Sequence, residues 1–121
     1  MRIISGLLKG KSIKFLKNST TRPLKDAVRE NIFNILKHCN FINVVVENAN
    51  ILDLYSGIGS FGLESISRGA KKVTFVERDK DAANILKENL IRFNVANKAS
   101  IINSNAENVL KKNFFDIDFN I

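Results

Sequence analysis

The stretch Ile51-Leu52-Asp53-Leu54-Tyr55-Ser56-Gly57-Ile58-Gly59-Ser60-Phe61-Gly62 decides the fold of this chain. Residues 51–54 have the composition of a short buried strand, and the glycines after them follow the pattern G-x-G-x-x-G. Such glycines permit a tight turn and let a ligand lie against bare backbone where a helix begins. The pattern predicts a strand, a ligand-binding loop and a helix over 61–68, which Gly69 would end in a left-handed conformation.

The alternation of strand and helix continues towards the carboxyl end. Strands are predicted at 73–76 and 100–102, helices over 79–93 and 107–112, and the beginning of a fourth strand at 116–121. Asp79 is placed to cap the first of these helices. Five apolar side chains form its inner face: Ala82, Ala83, Leu86, Leu90 and Phe93. This alternation is typical of an α/β fold with a parallel sheet. Because doubly wound sheets usually have more strands, we expect the fold to be incomplete at its carboxyl end.

Residues 1–40 precede the alternating strands and helices and are predicted to form a hairpin and one helix. Two short strands, 2–6 and 11–15, are predicted around a turn at Lys9-Gly10. A polar loop then leads through Pro23 to a helix over 25–38. Four apolar side chains recur on one face of that helix: Val28, Ile32, Ile35 and Leu36. We therefore divide the chain into a hairpin-plus-helix extension, 1–40, and a ligand-binding domain, 41–121.

The formal net charge of +7 lies entirely in the extension. Residues 1–40 carry nine basic and two acidic side chains, whereas residues 41–121 carry ten of each. A basic arm beside a neutral domain favours a polyanionic partner, because phosphate backbones attract such segments by counterion release. An ordinary solvated basic face is the alternative.

Two acidic side chains indicate which class of ligand the glycine loop binds. Asp53 interrupts the first strand, and three residues separate it from Gly57. A carboxylate there would repel a pyrophosphate but would suit the ammonium and sulfonium charges of S-adenosylmethionine. Glu77 ends the next strand, 20 residues after Gly57, where it could accept hydrogen bonds from the ribose of S-adenosylmethionine or of NAD. The alternatives are a loop-capping carboxylate for Asp53 and a solvated surface residue for Glu77.

Asn105 and Ala106 follow the third strand. A short polar side chain and an adjacent backbone amide could read the adenine edge of a cofactor, and a helix N-cap is an equally good interpretation. The remaining features exclude several classes of protein. The single cysteine, Cys39, cannot form an internal disulfide, and no apolar run approaches the roughly 20 residues of a membrane span. The opening residues have no apolar stretch typical of a signal peptide, so we expect a cytoplasmic protein. We also expect no metal site.

Taken together, these residues resemble the RsmD-type 16S ribosomal RNA guanine-N2 methyltransferases over nearly the whole chain. The matching segments are Arg2-Ile3-Ile4-Ser5-Gly6, Thr21-Arg22-Pro23, Val28-Arg29-Glu30, Phe33-Asn34-Ile35-Leu36, Leu52-Asp53-Leu54-Tyr55-Ser56-Gly57-Ile58-Gly59, Gly62-Leu63-Glu64, Ser67-Arg68-Gly69-Ala70 and Phe75-Val76-Glu77. The resemblance implies a Rossmann-like fold that uses S-adenosylmethionine. It also implies a monomer that acts on small-subunit ribosomal RNA.

The resemblance assigns roles to two sets of residues. The expected cofactor-binding residues are Asp53, Tyr55, Gly57, Gly59, Glu77, Asn105 and Ala106. The expected RNA-binding residues are Arg2, Lys9, Lys11, Lys14, Arg22 and Arg29. Within the first set, Asp53 and the glycines would surround the methionine part, Glu77 would bind the ribose, and position 105 would lie at the adenine.

The sequence departs from the family at two points. The family usually has Asp where this chain has Asn105, so we expect weaker cofactor binding. The catalytic motif Asp/Asn-Pro-Pro-Tyr/Phe is missing, because Pro23 is the only proline and the motif would lie beyond Ile121. We therefore expect a fragment of a methyltransferase that is inactive by itself. A non-catalytic RNA-binding remnant and a nicotinamide- or flavin-dependent oxidoreductase remain as alternatives, and an adenine-N6 enzyme would use a similar motif.

Overall fold

The computed structural model describes residues 1–15, 25–112 and 118–121. Its helices are α1 (Asp26–His38), α2 (Ser60–Ser67), α3 (Lys80–Arg92) and α4 (Ala106–Lys112), and its strands are β1 (Asn50–Leu54), β2 (Lys72–Val76) and β3 (Ala99–Ile102). A turn of 3-10 helix, Ala96–Lys98, precedes β3. Every helix and strand predicted from the sequence within 25–112 is present, with bounds that differ by at most one residue.

The three strands form a parallel sheet in the order β1-β2-β3, as the alternation of elements predicts. The predicted fourth strand begins at residues outside the described part of the chain. Its last residues lie beside β1, where Asn120 N donates to Asn50 O at 2.8 Å and Leu52 N donates to Ile121 O at 2.9 Å. These bonds place residues 120–121 on the edge of β1 that faces away from β2.

Helices cover both faces of the sheet. The main core joins α2 and α3 to one face through side chains that include Ile51, Leu63, Phe75 and Leu86. On the other face, α4 packs through Ala106 and Val109 against Val76. The predicted inner face of α3 is confirmed, because Ala82, Ala83, Leu86, Leu90 and Phe93 are all buried. The result is the layered α/β arrangement expected from the sequence.

Two local signals of the sequence act as predicted. Asp79 caps α3, with its Oδ1 accepting from Asp81 N at 2.9 Å and Ala82 N at 3.4 Å. Gly69 follows α2 with a φ of 102°. The glycine at 62 has a packing role, since a Cβ there would lie 2.1 Å from the Phe75 ring. Its absence lets α2 approach the sheet closely, which fixes where the loop before α2 lies.

The opening hairpin packs into the same core as the sheet. Its predicted strands are reduced to one antiparallel bridge between Arg2 and Ser12. Three of its side chains, Ile3, Leu8 and Ile13, are buried in the main core. The boundary at residue 40 therefore stays a prediction about charge and function, because one hydrophobic core includes residues from both sides of it.

Helix α1 lies where the sequence predicts, but its predicted apolar face is confirmed only in part, since Ile32 and Leu36 are half-buried and the other two residues are not. Val28 is 45% exposed and Ile35 is 53% exposed, whereas Arg29 and Phe33 are buried. Phe33 stacks on Phe61 of α2 with ring centroids 5.1 Å apart. The orientation of α1 is therefore set by Arg29 and Phe33 rather than by its β-branched residues.

A buried ion-pair network explains why Arg29 lies in the protein interior. Glu64 of α2 is fully buried and lies 3.2 Å from Arg29 Nε and 3.0 Å from Arg68 Nε. Its carboxylate also accepts hydrogen bonds from the backbone of the hairpin, at 2.8 Å from Ile4 N and 3.0 Å from Ser5 N. One carboxylate thus joins α1, α2 and the hairpin.

Candidate functional site

The seven predicted cofactor residues meet at one edge of the sheet. Because parallel strands end on the same side, the segments that follow β1, β2 and β3 lie together there. These segments are the glycine loop 55–59, the turn 77–79 and the residues 103–105. Their convergence is the arrangement expected of a ligand site in an open α/β sheet.

The glycine loop is held in a conformation that ordinary residues rarely adopt. Tyr55, Gly57 and Gly59 have φ angles of 56°, 57° and 89°. At Gly59 a Cβ would also lie 2.3 Å from Leu86 Cδ1, so both the backbone angle and the space require glycine. Tyr55 is the exception, a non-glycine residue in the left-handed region, which costs of order 1 kcal/mol. Strain of this kind, beside bare backbone, is typical of ligand-binding loops.

Glu77 connects the glycine loop to the end of β2. Its Oε2 accepts from Gly57 N at 2.6 Å, and its Oε1 accepts from Asp79 N at 2.9 Å. The residue is only 8% exposed, so the alternative of an ordinary solvated surface residue is wrong. A carboxylate with each oxygen already fixed by one N–H retains lone pairs for a further donor on the ligand side.

Asp53 lies beside Glu77 and is equally buried, with 8% exposure. Its Oδ2 accepts from Gly62 N at 3.2 Å in the first turn of α2, which is the contact that the loop-capping alternative requires. Its Oδ1 accepts no hydrogen bond from the described residues. Burial raises the pKa of Asp53 to about 7, the Gly62 N–H opposes that rise, and the charge of Glu77 adds to it. A cationic group placed here would relieve this unfavourable environment.

The pKa of Asp53 predicts how stability changes with pH. Between the ordinary value of 3.8 and the folded value of about 7, the folded chain holds a proton that the unfolded chain has released. The stability from this proton is complete below the lower value and is lost as the pH rises through the upper one. Asp53→Asn should remove that loss, so urea unfolding between about pH 4 and pH 7 should show a smaller fall in unfolding free energy for the variant. Equal falls for the two proteins would contradict the assignment.

Asn105 has the role that the helix-cap interpretation assigns to it. Its Oδ1 accepts from Asn108 N at 2.7 Å at the start of α4. A second asparagine, Asn103, was not singled out in the sequence. Its Nδ2 donates to Glu77 O at 2.8 Å and to Arg78 O at 3.3 Å, which ties the end of β3 to the end of β2. Only its place directly after a predicted strand could have indicated this role.

A cavity of about 300 Å³ lies between these segments. Tyr55, Glu77, Asn105 and Ala106 line it, so four of the seven predicted residues share one cavity. Gly57 does not line the cavity, but its N–H donates to Glu77, which does. Asp53 and Gly59 are not among its lining residues and lie towards α2. A larger cavity of about 380 Å³ lies between α1 and residues 44–47, but it holds none of the predicted residues.

The edge fits S-adenosylmethionine in the chemistry of its groups. Two buried carboxylates suit a ligand that carries two cationic groups and a ribose, and the glycines leave backbone uncovered. The hydroxyl of Ser56, within the glycine loop, is buried and has no hydrogen-bond partner among the residues that the structure describes. Within the same residues, no cluster of three or more metal-ligating side chains occurs, and no helix is long and apolar enough to cross a bilayer.

The structure corrects one predicted RNA-binding residue. Arg29 is 0% exposed and forms its ion pair with Glu64 inside the protein, so it cannot meet a phosphate in this conformation. Arg22 lies outside the described residues. Arg2 donates to Gly10 O at 2.7 Å within the hairpin.

The remaining basic residues lie at the end of the sheet opposite the cofactor edge. Lys14 forms an ion pair of 2.6 Å with Glu88, in the carboxyl-terminal half of α3. Lys9 is exposed, and Lys11 Nζ lies 5.9 Å from the centroid of the Phe93 ring. Arg92 joins them from the end of α3, because its Nη2 donates to Ser12 O at 3.2 Å. Arg92 was not singled out in the sequence, because a basic residue in the last turn of a helix gives no specific signal of a binding role.

Comparisons with known proteins agree with this geometry. Residues 1–121 match the family described as conserved hypothetical protein 95. The ribosomal RNA small subunit methyltransferase D of Haemophilus influenzae is 38% identical over 93% of this chain and 55% of its own length. The protein of the same name in Escherichia coli is 34% identical over 91% of this chain and 52% of its own length. The chain therefore spans about half the length of the curated relatives it matches.

Solved structures show the same fold. The Escherichia coli methyltransferase yhhF superposes with a TM-score of 0.77 at 34% identity, covering 91% of this chain and 55% of that one. A Thermus thermophilus protein superposes with a TM-score of 0.74 at 27% identity, covering 93% of this chain and 60% of that one. The parallel sheet with helices on both faces is thus the Rossmann-like fold of methyltransferases. By its sequence and its fold, the chain belongs to the conserved hypothetical protein 95 family, that of the RsmD-type ribosomal RNA methyltransferases.

Proposed function

We propose that this chain binds S-adenosylmethionine and supplies the cofactor-binding part of an enzyme that methylates the exocyclic N2 of a guanine in 16S ribosomal RNA. The observation that carries the proposal is the link between Glu77 and the Gly57 amide, with the buried carboxylate of Asp53 beside it. The names of the relatives support the same function, since several are called ribosomal RNA small subunit methyltransferases.

Each residue has a task in this proposal. Glu77 accepts hydrogen bonds from the two ribose hydroxyls, and Asp53 faces the positive end of the cofactor. Gly57 and Gly59 leave the backbone open for the methionine part. Asn105 and Ala106 line the part of the cavity that would hold the adenine. When bound, S-adenosylmethionine supplies a methyl group that its positive sulfur activates.

No residue of this chain is assigned to the transfer step itself. The Asp/Asn-Pro-Pro-Tyr/Phe motif that the family resemblance implies is not in the sequence, in which Pro23 is the only proline. We therefore propose that the chain by itself binds the cofactor without methylating RNA.

Ligand selectivity tests the proposal. The melting temperature of the chain should rise with S-adenosylmethionine and with S-adenosylhomocysteine, because ligands that bind only the folded state stabilise it. NAD at the same concentration should leave it unchanged, since Asp53 would repel the pyrophosphate. A rise with NAD alone would favour an oxidoreductase. No rise with any of the three, together with RNA affinity, would favour the RNA-binding remnant.

We further propose that ribosomal RNA docks on the hairpin side, on a basic surface formed by Lys9, Lys11 and Arg92. As in the family it resembles, the protein would act as a monomer in the cytoplasm. Polyanion attraction to lysines is not sequence-specific, so this surface would position the RNA rather than read its bases.

Replacing Lys9 and Lys11 with glutamine should weaken RNA binding and reduce its salt dependence. Each lysine that leaves a phosphate lowers the slope of log affinity against log salt by about 1, so a reduction of about 2 is expected. Filter binding of a ribosomal RNA fragment over a range of salt concentrations measures the slope. Replacing Lys87 and Lys111, two exposed lysines outside the surface, should leave it unchanged. Equal slopes for the two double variants would contradict the proposed surface.

A further inference from the structure

Arg68 has unused hydrogen-bond donors at the cavity between α1 and residues 44–47. Its guanidinium is held on two sides, because Nε donates to Glu64 Oε2 at 3.0 Å and Cζ lies 4.4 Å from the centroid of the Phe33 ring. No described residue accepts a hydrogen bond from either Nη of Arg68. Its side chain is 18% exposed and lines this cavity of about 380 Å³. The edge formed by the two Nη groups is therefore left for a ligand.

The charge of Arg68 is only partly neutralised. The buried carboxylate of Glu64 is shared, because it lies 3.2 Å from Arg29 Nε as well as 3.0 Å from Arg68 Nε. Arg29 has a second carboxylate, that of Asp26 at 3.0 Å, whereas Arg68 has no second one among the described residues. Glu47 also lines the cavity, but no ion pair joins it to Arg68 in that part of the chain. An anion in the cavity would complete the neutralisation.

The arrangement suits an oxyanion. A guanidinium that offers both Nη groups can bind two oxygens of one phosphate or carboxylate. The contacts with Glu64 and Phe33 already fix the guanidinium, which lowers the entropy cost of binding. Lys37 is exposed and lines the same cavity, so it adds a second positive charge. Residues 44–46 form an apolar wall, beside which a charge pair is less screened than in open water.

The location of the cavity favours RNA phosphate as the anion. Ser5 and Gly6 of the hairpin line the cavity, and Lys9 and Lys11 follow them along the same hairpin. Three residues of chain, at most about 11 Å, separate Gly6 from Lys9. The cavity is thus continuous with the proposed basic surface, so one RNA strand can reach both.

We propose that Arg68 binds a backbone phosphate of the ribosomal RNA through its two Nη groups, with Lys37 beside it at the cavity. The inference rests on the proposed function, which makes ribosomal RNA the partner and places it on the hairpin side. It extends the RNA-binding surface across the hairpin to the cavity. Because the contact is with a phosphate, it positions the RNA and does not read its bases.

Arg68→Gln tests the contact through the salt dependence of RNA binding. Filter binding of a ribosomal RNA fragment should show an affinity about tenfold lower and a slope of log affinity against log salt reduced by about 1. Arg68→Lys should keep the slope but lose part of the affinity, because an ammonium keeps the charge without the bidentate geometry. The control, Lys111→Gln, removes an exposed charge outside the surface and should change neither quantity.

A measurement on the unsubstituted chain does not depend on how the variants fold. The guanidinium nitrogen resonances of Arg68 should shift when the RNA fragment is added. Polyglutamate, added at the same concentration of charge, tests the other source of an oxyanion. A shift with polyglutamate and none with RNA would assign the cavity to an acidic protein and would overturn the inference, as would no shift with either.

The outcomes separate the inference from the proposed function. If folded Arg68→Gln binds RNA with the slope and affinity of the unsubstituted chain, the inference is wrong and docking on Lys9 and Lys11 stands. If the folded, unsubstituted chain binds no RNA, the docking surface and the inference are both wrong, while titration with S-adenosylmethionine still tests the cofactor site. A reduced slope for Arg68→Gln, with Arg68 resonances that RNA shifts, supports both.

Discussion

Replacing Glu64 with alanine is expected to lower the free energy of unfolding by about 3–5 kcal/mol, which is the usual cost of breaking a buried ion pair from one side. Glu64 is fully buried, and its carboxylate neutralises Arg29, which is also fully buried. The substitution removes the buried partner of that guanidinium and leaves it only the half-exposed carboxylate of Asp26, 3.0 Å from its Nη2. It also removes the acceptor of two backbone N–H groups, those of Ile4 and Ser5.

Glu88→Ala provides the control for this prediction. Glu88 also forms an ion pair, with Lys14 at 2.6 Å, but both side chains are about half exposed. Exposed pairs contribute about 0–1 kcal/mol, so this variant should lose far less stability. Urea unfolding followed by circular dichroism compares the two. A loss for Glu64→Ala no larger than that for Glu88→Ala would show that the buried network does not hold the hairpin and α1 on the sheet.

Replacing Glu77 with glutamine is expected to weaken S-adenosylmethionine binding about a hundredfold. Two charge-assisted hydrogen bonds to the ribose, at about 1.5–3 kcal/mol each, would lose their charge. Glutamine also has only one oxygen for the two N–H groups, of Gly57 and Asp79, that the carboxylate now accepts. The variant should therefore lose both a ligand contact and the link that shapes the glycine loop.

Calorimetric titration of the cofactor measures this loss, with Glu30→Gln as the control. Glu30 is an exposed residue of α1, and its replacement should change the affinity less than about twofold. The melting temperature of Glu77→Gln should be recorded beside the titration, so that loss of binding is separated from loss of fold. An affinity within about threefold of the unsubstituted chain would show that Glu77 does not bind the ribose.

Local sequence patterns were sufficient to predict the sheet and the position of most residues of the candidate site. The strands and helices from β1 to α4 follow from apolar runs, helical periodicity and glycine positions, because those signals depend on neighbouring residues. The cap at Asp79 and the left-handed Gly69 are local for the same reason. The meeting of Glu77 with the glycine loop could also be predicted, since parallel strands end at one edge.

Features that depend on contacts between distant residues could not be predicted in this way. The burial of Arg29 depends on Glu64, a residue far along the chain, and an arginine on a basic arm suggests a phosphate contact when that partner is unknown. The same reason explains why Val28 and Ile35 of α1 are exposed, because the stacking of Phe33 on a distant residue, Phe61, sets the orientation of the helix. Periodicity identifies a helix, but a buried polar partner can override the apolar stripe.

The role of Asn105 could be predicted from the sequence only in part. Its place after a strand indicated both a cap and a ligand contact, and the bond to Asn108 shows that the cap is formed. What the sequence could not supply is the direction of the amide, which depends on that bond.

The most direct test of the central claim is to map where S-adenosylhomocysteine binds by the amide chemical shifts of the chain in solution. The largest changes should fall in three segments: 53–59, 77–79 and 103–107. The residues around the cavity between α1 and residues 44–47, such as Val45 and Lys37, should show none. That result would place the cofactor at the carboxyl edge of the sheet. Changes concentrated around residues 44–47, or none in a folded sample, would contradict the assignment of this edge as the cofactor site.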